Sequence, residues 1–302
     1  MDEAIRDPRP PPLPGLGIWL RGARPRTLVA SVCPVLVGTA VAASGGRLVA
    51  WRALAALVVS VAIQVGVNYA NDYSDGVRGT DTPARVGPVR LVASGLASPS
   101  QVKRAAALAF AVAGVAGLAL SLAVDPRLLL VGVACVAAAV LYTGGPRPYG
   151  YAGFGELAVL VFFGLVATAG TAYVQAERLD GLAVAASLPV GLGAVAILLA
   201  NNVRDLVGDR AAGKRTLVVR LGLARSRTLF VATVVAMFVI VALIGVARPT
   251  ALLALAAVPF AVMPARLVRR RRDALGLVAA LAGTARLQLI VCVLLAAGLW
   301  VS

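Results

Sequence analysis

Two short acidic clusters carry most of the chemistry this chain can offer. The first reads Asn68-Tyr69-Ala70-Asn71-Asp72-Tyr73-Ser74-Asp75-Gly76-Val77-Arg78-Gly79-Thr80-Asp81. On a helix continued through it, Asn68, Asp72 and Asp75 stand at i, i+4 and i+7 and share one face. Asp81 follows two glycines and can fold back toward them. The second cluster reads Asn201-Asn202-Val203-Arg204-Asp205-Leu206-Val207-Gly208-Asp209, followed by Arg210 and then Gly213-Lys214-Arg215-Thr216. Asn201, Asp205 and Asp209 again fall on one face, at i, i+4 and i+8. Carboxylates gathered at a membrane boundary repel unless something neutralises them. A hard divalent cation does so, and Mg²⁺ takes few protein carboxylates, completing its shell with phosphate oxygens and water. The chain has no histidine. That removes the usual general base and zinc ligand, and Mg²⁺–diphosphate chemistry needs neither. The plainer alternatives are helix caps, ion pairs with nearby arginines, or a cation-transport site. Caps and pairs account for one or two acids, not for five acids and two matched asparagines.

Basic residues follow each cluster: Arg78 behind the first, and Arg204, Lys214 and Arg215 within or behind the second. Arg24 precedes the first apolar run and Arg147 lies in a later turn. Such cations can hold the outer oxygens of a diphosphate whose inner oxygens face a metal. Each could also be no more than a topology signal. A third constellation runs from Tyr142-Thr143-Gly144-Gly145-Pro146-Arg147 to Tyr151 and Glu156. Its Gly and Pro dictate a tight turn. Its tyrosines fit either an aromatic or carbocation site or an interfacial belt. Glu156 is either a helix N-terminal charge or an active-site group.

The elements that must position these residues are apolar. Of 302 residues, 60% are apolar and 14% charged, with mean hydropathy +0.90. Soluble domains run nearer ~45–50% and ~25%, so an all-α integral membrane protein is expected. Nine apolar runs approach the ~20 residues that span a bilayer: 27–43, 53–71, 105–124, 128–142, 157–175, 182–201, 228–246, 251–265 and 275–300. They lack the alternation of a transmembrane barrel, and their many Ala and Gly suit close helix contact in lipid. Residues 1–26 read as a cytoplasmic lead-in, without a cleavable signal peptide. Residues 27–302 read as one domain whose catalytic loops are about 72–104 and 202–227. Cys33, Cys135 and Cys292 sit in apolar stretches as small hydrophobes.

The net charge of +16 has no reader motif or aromatic-studded basic face, which argues against nucleic acid. Instead the positive charge is sorted. Loop 202–227 has seven basic and two acidic residues, and 266–274 has five and one. The alternate loops are tiny. The positive-inside rule then places the N-terminus in the cytoplasm and Ser302 outside. Arg269, Arg270, Arg271 and Arg272 are the strongest of these signals, and they can also touch anionic lipid.

These motifs resemble the intramembrane aromatic prenyltransferases, and within them the menaquinone branch. Asn68 to Asp81 resembles the family's first aspartate-rich motif. Asn201 to Asp209 with Gly213-Lys214-Arg215-Thr216 resembles the second. Arg24-Pro25-Arg26-Thr27 and Tyr142 to Glu156 resemble further stretches of that branch. The second motif begins with Asn201 where many relatives have an acid, and the third acid of the first is delayed to Asp81. The resemblance implies nine transmembrane helices around a central lipid-open cavity. It implies Mg²⁺, two ions bridging a diphosphate, at Asp72, Asp75, Asp205 and Asp209, with Asn68 and Asn201 as neutral ligands. It implies transfer of a polyprenyl group from polyprenyl diphosphate to 1,4-dihydroxy-2-naphthoate in a bacterial membrane, with loss of CO₂ and diphosphate. Asp81 is implied either to steer Arg78 or to take a proton from the acceptor.

The same fold could serve another acceptor: 4-hydroxybenzoate, homogentisate, a porphyrin or a phosphoribosyl group. A transporter would need polar residues deep in the spans. Gln64, Arg286 and Gln288 are the only strong candidates, and they could equally pair between helices or meet substrate.

Overall fold

The computed structural model describes residues 15–80 and 89–301. Among them every regular element is a helix. A short α1 (Gly15–Ala23) leads into α2 (Val29–Ser44), α3 (Ala50–Val77), α4 (Pro99–Ala123) and α5 (Leu128–Thr143). Then follow α6 (Gly155–Ala176), α7 (Gly181–Ala211), α8 (Leu217–Ala247), α9 (Pro249–Arg270) and α10 (Ala274–Trp300). Each apolar run of the sequence falls on one of α2 to α10. By length and composition seven of these can cross a membrane. The other two, α2 and α5, have 16 residues each. At 1.5 Å per residue such a helix is about 24 Å long, short of the ~30 Å hydrocarbon core.

The helices outrun the hydrophobic runs at the end that carries the motifs. α3 continues to Val77 and α7 to Ala211, so both acidic clusters are helical. The expected loops 72–104 and 202–227 are correspondingly shorter. Polarity marks where a run leaves hydrocarbon, but a helix ends only where its backbone is interrupted. Here that happens at Gly79 and Gly213, both left-handed with φ of 66° and 72°, a conformation glycine adopts without steric cost. The helices that follow begin with side-chain caps. Ser98 and Gln101 form a reciprocal capping box ahead of α4, and Thr216 caps α8. Asp180 and Asp273 cap α7 and α10, accepting from Ala183 N at 2.8 Å and Gly276 N at 2.7 Å.

The core centres on α7, which packs against α2, α6, α8 and α10, while α3 lies along α4. Small residues set the approach. A Cβ on Gly164 of α6 would stand 2.9 Å from the Gly191 Cα of α7 and 3.0 Å from Ser187 O. Leu160–Ala169 within α6 winds as a π-helix. Its wider turns are a form often found at functional sites, and they carry Phe162, Phe163 and Val166 to the wall of the central chamber.

The deep polar residues fall to structural work or to the surface. Gln288 is buried and its Nε2 donates to Val190 O at 3.1 Å, tying α10 to α7. Arg286 is exposed. Neither lines the chamber. Gln64 does line it and donates to Asn68 Oδ1 at 3.1 Å. The three cysteines are free.

Candidate active site

α3, α4, α5, α6 and α7 surround a chamber of about 380 Å³. Its deeper walls are apolar, with Val59, Ile63, Val131, Phe162, Phe163, Val166 and Ile197 among them. Its mouth is polar and collects Arg24, Asn68, Asn71, Asp75 and Arg90 from one side. Asn201, Asn202, Asp205, Asp209, Lys214 and Thr216 face them from the other. The two motifs, more than a hundred residues apart, therefore meet.

Lys214 makes the junction. Gly213 turns the chain out of α7, and the Lys214 ammonium lies 3.0 Å from Asp75 Oδ1 and 3.8 Å from Asp209 Oδ1. It also stands 4.6 Å from the centre of the Tyr151 ring, within cation–π range. Tyr151 donates its hydroxyl to Asp75 Oδ1. Arg90 reaches Asp75 Oδ2 at 3.6 Å. Asp75 is thus a nearly buried carboxylate held by two cations and a phenol. Burial, then the Asp75 charge, raises the Tyr151 hydroxyl above the usual tyrosine range. Burial pushes Tyr149 up to about 12.

The sequence-derived residues divide. Asp75, Asp205, Asp209, Asn68, Asn201, Arg24, Tyr142, Tyr151 and Lys214 line the chamber. Asp72 does not. It is fully buried, and its oxygens accept Leu91 N at 2.8 Å and Val92 N at 3.0 Å. Asp72 therefore fastens the segment carrying Arg90 to α3. The i, i+4, i+7 face is wide enough for Asp72 and Asp75 to point to different neighbours. Asn68 is braced too, donating to Ala23 O at 2.8 Å.

Four cations expected at the diphosphate take other places. Arg78 donates to the carbonyls of Thr143 and Gly145, fixing the α5–α6 turn. Arg204 forms a bidentate pair with Asp205, both contacts at 2.7 Å, and reaches Asn201 at 2.8 Å. Arg147 and Arg215 are exposed. The backbone N–H of Arg215 instead donates to Tyr151 O at 2.9 Å, joining the turn to the second motif. Glu156 is buried behind the wall and accepts from Asn202 Nδ2 at 3.0 Å. Asp81 lies outside the described residues.

Asn71, Asn202, Arg90, Thr143 and Tyr149 also line the mouth. The Thr143 hydroxyl donates to Asn71 Oδ1 at 2.6 Å. Asn71 stands four residues before Asp75, a helical spacing that points to it. Arg90 has no comparable signal, because a tertiary fold of the segment delivers it.

Among the described residues no three Asp, Glu, Cys or His side chains cluster tightly enough to hold a metal unaided. The donors nonetheless suit Mg²⁺. Asp75, Asp205 and Asp209, with Asn71, Asn201 and Asn202, are hard oxygen ligands around one mouth, and Mg²⁺ leaves positions for phosphate and water. The Lys214 ammonium between Asp75 and Asp209 shows that this spot calls for a cation.

Comparison with known proteins supplies the relatives. The UbiA prenyltransferase family profile matches residues 31–282. A 1,4-dihydroxy-2-naphthoate octaprenyltransferase of Mycobacterium tuberculosis is 49% identical over 272 residues, covering 90% of this chain and 93% of the relative. The enzyme of that name in Escherichia coli is 36% identical, covering 94% and 95%. A UbiA homolog from Aeropyrum pernix superposes with a TM-score of 0.64 at 18% identity, covering 90% and 96%. One from Archaeoglobus fulgidus, solved with DMAPP and Mg²⁺, gives 0.58 at 15%, covering 92% and 98%. With its two acidic motifs closing over one apolar chamber and relatives that match nearly end to end, the chain belongs to the UbiA prenyltransferase family.

Proposed function

We propose that this protein transfers a polyprenyl group from polyprenyl diphosphate to 1,4-dihydroxy-2-naphthoate, releasing diphosphate and CO₂ and giving a demethylmenaquinone in its reduced, quinol form. One observation carries the reading: Lys214 reaches Asp75 of the first motif and Asp209 of the second at the mouth of an apolar chamber. The names of the full-length relatives support the acceptor.

Asp75, Asp205 and Asp209 would hold Mg²⁺, two ions in this proposal, with Asn71 and Asn201 as neutral donors. Mg²⁺ supplies positive charge that stabilises a departing diphosphate. Lys214 and Arg90 bind its outer oxygens. Tyr151 keeps Asp75 aimed at the mouth. The C1–oxygen bond breaks with its electron pair leaving on diphosphate, and the carboxylate-bearing carbon of the electron-rich ring forms the new bond to C1. The ring–carboxylate bond then breaks, its electron pair restoring the aromatic ring as CO₂ departs. Phe162, Phe163 and Val166 bed the tail and keep water from the allylic cation, which the Tyr142 and Tyr149 rings help stabilise. Glu156 orients Asn202. In the membrane, α2 to α10 all cross, α2 and α5 as short spans beside locally thinned bilayer. The N-terminus is cytoplasmic, and the chamber opens sideways to lipid near the exposed Val131.

The test is turnover by purified full-length protein in detergent, given Mg²⁺, a prenyl diphosphate and a panel of aromatic acids. Release of diphosphate and CO₂ with the dihydroxynaphthoate, abolished by EDTA, is expected. Activity in EDTA would reject the metal account. Preference for 4-hydroxybenzoate or homogentisate would reassign the acceptor.

A further inference from the structure

A second hollow lies on the opposite side of α3 from the chamber. It is a groove of about 1020 Å³ between α3 and α4, roofed at one end by Trp19 of α1. Its walls are Leu57, Val58, Val61, Ala62 and Val65 on α3, with Ala105, Leu108, Ala109 and Val112 on α4. Ala62, Ala105 and Ala109 contribute only methyl groups to this wall, which leaves room between the larger side chains. From residue 57 to residue 69 of α3 it is about 18 Å long at 1.5 Å per residue. That is close to one leaflet, half of the ~30 Å hydrocarbon core.

Polar groups gather only at the end nearest the acidic motifs: Gln101, Arg104 and Tyr69. The Tyr69 hydroxyl is already used, donating to Trp19 O at 2.8 Å. Arg104 is exposed, and its one hydrogen bond among the described residues is a long contact to Ser100 O at 3.4 Å. It has no carboxylate partner there. A cation at the head of a leaflet-deep apolar slot matches an anionic amphiphile in charge and in length.

We infer that this groove binds one anionic phospholipid of the adjoining leaflet, its acyl chain along α3 and α4 and its phosphate at Arg104. Two features separate that occupant from the prenyl diphosphate substrate. The groove offers a single cation and no carboxylates for a metal, and α3 stands as a wall between it and the chamber. The bound lipid would also steady α1. Trp19 packs edge-to-face on Tyr69, with ring centres 5.8 Å apart, and α1 ends at Ala23, whose carbonyl braces Asn68.

Trp19 reports on the site directly. Trp51 and Trp300 are exposed near the ends of other helices, and replacing both with Phe leaves Trp19 as the sole indole. In vesicles of phosphatidylcholine doped with brominated phosphatidylglycerol, Trp19 fluorescence should be quenched more strongly than by the same fraction of brominated phosphatidylcholine. One Arg–phosphate contact at a membrane surface, ~1 kcal/mol, corresponds to about a fivefold preference. Arg104→Gln, a change on an exposed helix face, should erase the preference. Ala109→Phe should fill the slot and lower quenching by both lipids. Equal quenching by the two lipids in the parent protein, or a preference that survives Arg104→Gln, overturns the inference. So does relief of quenching by farnesyl diphosphate at concentrations that saturate turnover, which would make the groove a substrate path.

Discussion

The sharpest prediction separates two aspartates three residues apart. Asp75→Asn removes a charge that faces Lys214 at 3.0 Å and Arg90 at 3.6 Å. Asp72→Asn removes one that faces two backbone amides. The Asn side chain offers one acceptor oxygen where Asp72 uses two, so one buried N–H loses its partner. Such a loss costs about 1–3 kcal/mol. At roughly 2 °C per kcal/mol for a chain of this size, the apparent melting temperature in detergent should fall about 2–6 °C. The damage to turnover should be indirect, through looser placement of Arg90. Asp75→Asn should strike the reaction itself. It also weakens the compensation of two largely buried cations, Lys214 and Arg90, so the melting temperature should fall as well. Measured below the melting transition, kcat should fall at least ~100-fold, the scale seen when one preorganised electrostatic group is removed from a reaction centre. The assay pairs a thermal-shift curve with diphosphate release for each variant. A variant pair in which Asp72→Asn kills turnover at unchanged melting temperature, with Asp75→Asn active, would refute the division of roles.

Three further outcomes are expected. Lys214→Ala should raise KM for the prenyl diphosphate several-fold more than KM for the acceptor, and equal effects would remove Lys214 from the diphosphate. Gly164→Ala should destabilise the bundle by about 1–3 kcal/mol, because the new methyl meets the Gly191 backbone at 2.9 Å; an unchanged unfolding temperature would contradict that contact. Burial and Asp75 raise the Tyr151 phenol above its ordinary ~10. Folding therefore favours the protonated form, its contribution is intact below about pH 10, and it is lost as pH rises through the raised value. The melting temperature should decline above pH 10, less so in Tyr151→Phe, and an identical decline in the variant would count against this titration.

Much of the architecture could be read from apolar runs, because a helix in lipid must satisfy its own backbone and so declares itself by length. The meeting of the motifs was also readable: Asp75, Asp209 and Lys214 carry the right types at the right spacing. Spacing could not say which acid on a helical face turns inward. Asp72 faces a segment twenty residues on, and nothing local to it announces that neighbour. Arginines were least legible. Arg78, Arg147, Arg204 and Arg215 share one chemistry, yet they brace a turn, face outward or lock Asp205, and only tertiary contacts sort them. The helix ends are less legible for a related reason, since Asn and Asp leave hydrocarbon without leaving the helix.

Lys214 has a consequence for the resting enzyme. Opposed carboxylates normally push a gap open when divalent ions are scarce. Here an ammonium tethered to the chain lies between Asp75 and Asp209, so on the proposed magnesium chemistry the entrance would keep its shape through magnesium shortage. On that chemistry a metal-bearing diphosphate would take over the pairing of these carboxylates from Lys214, and ion starvation should slow the enzyme without loosening it.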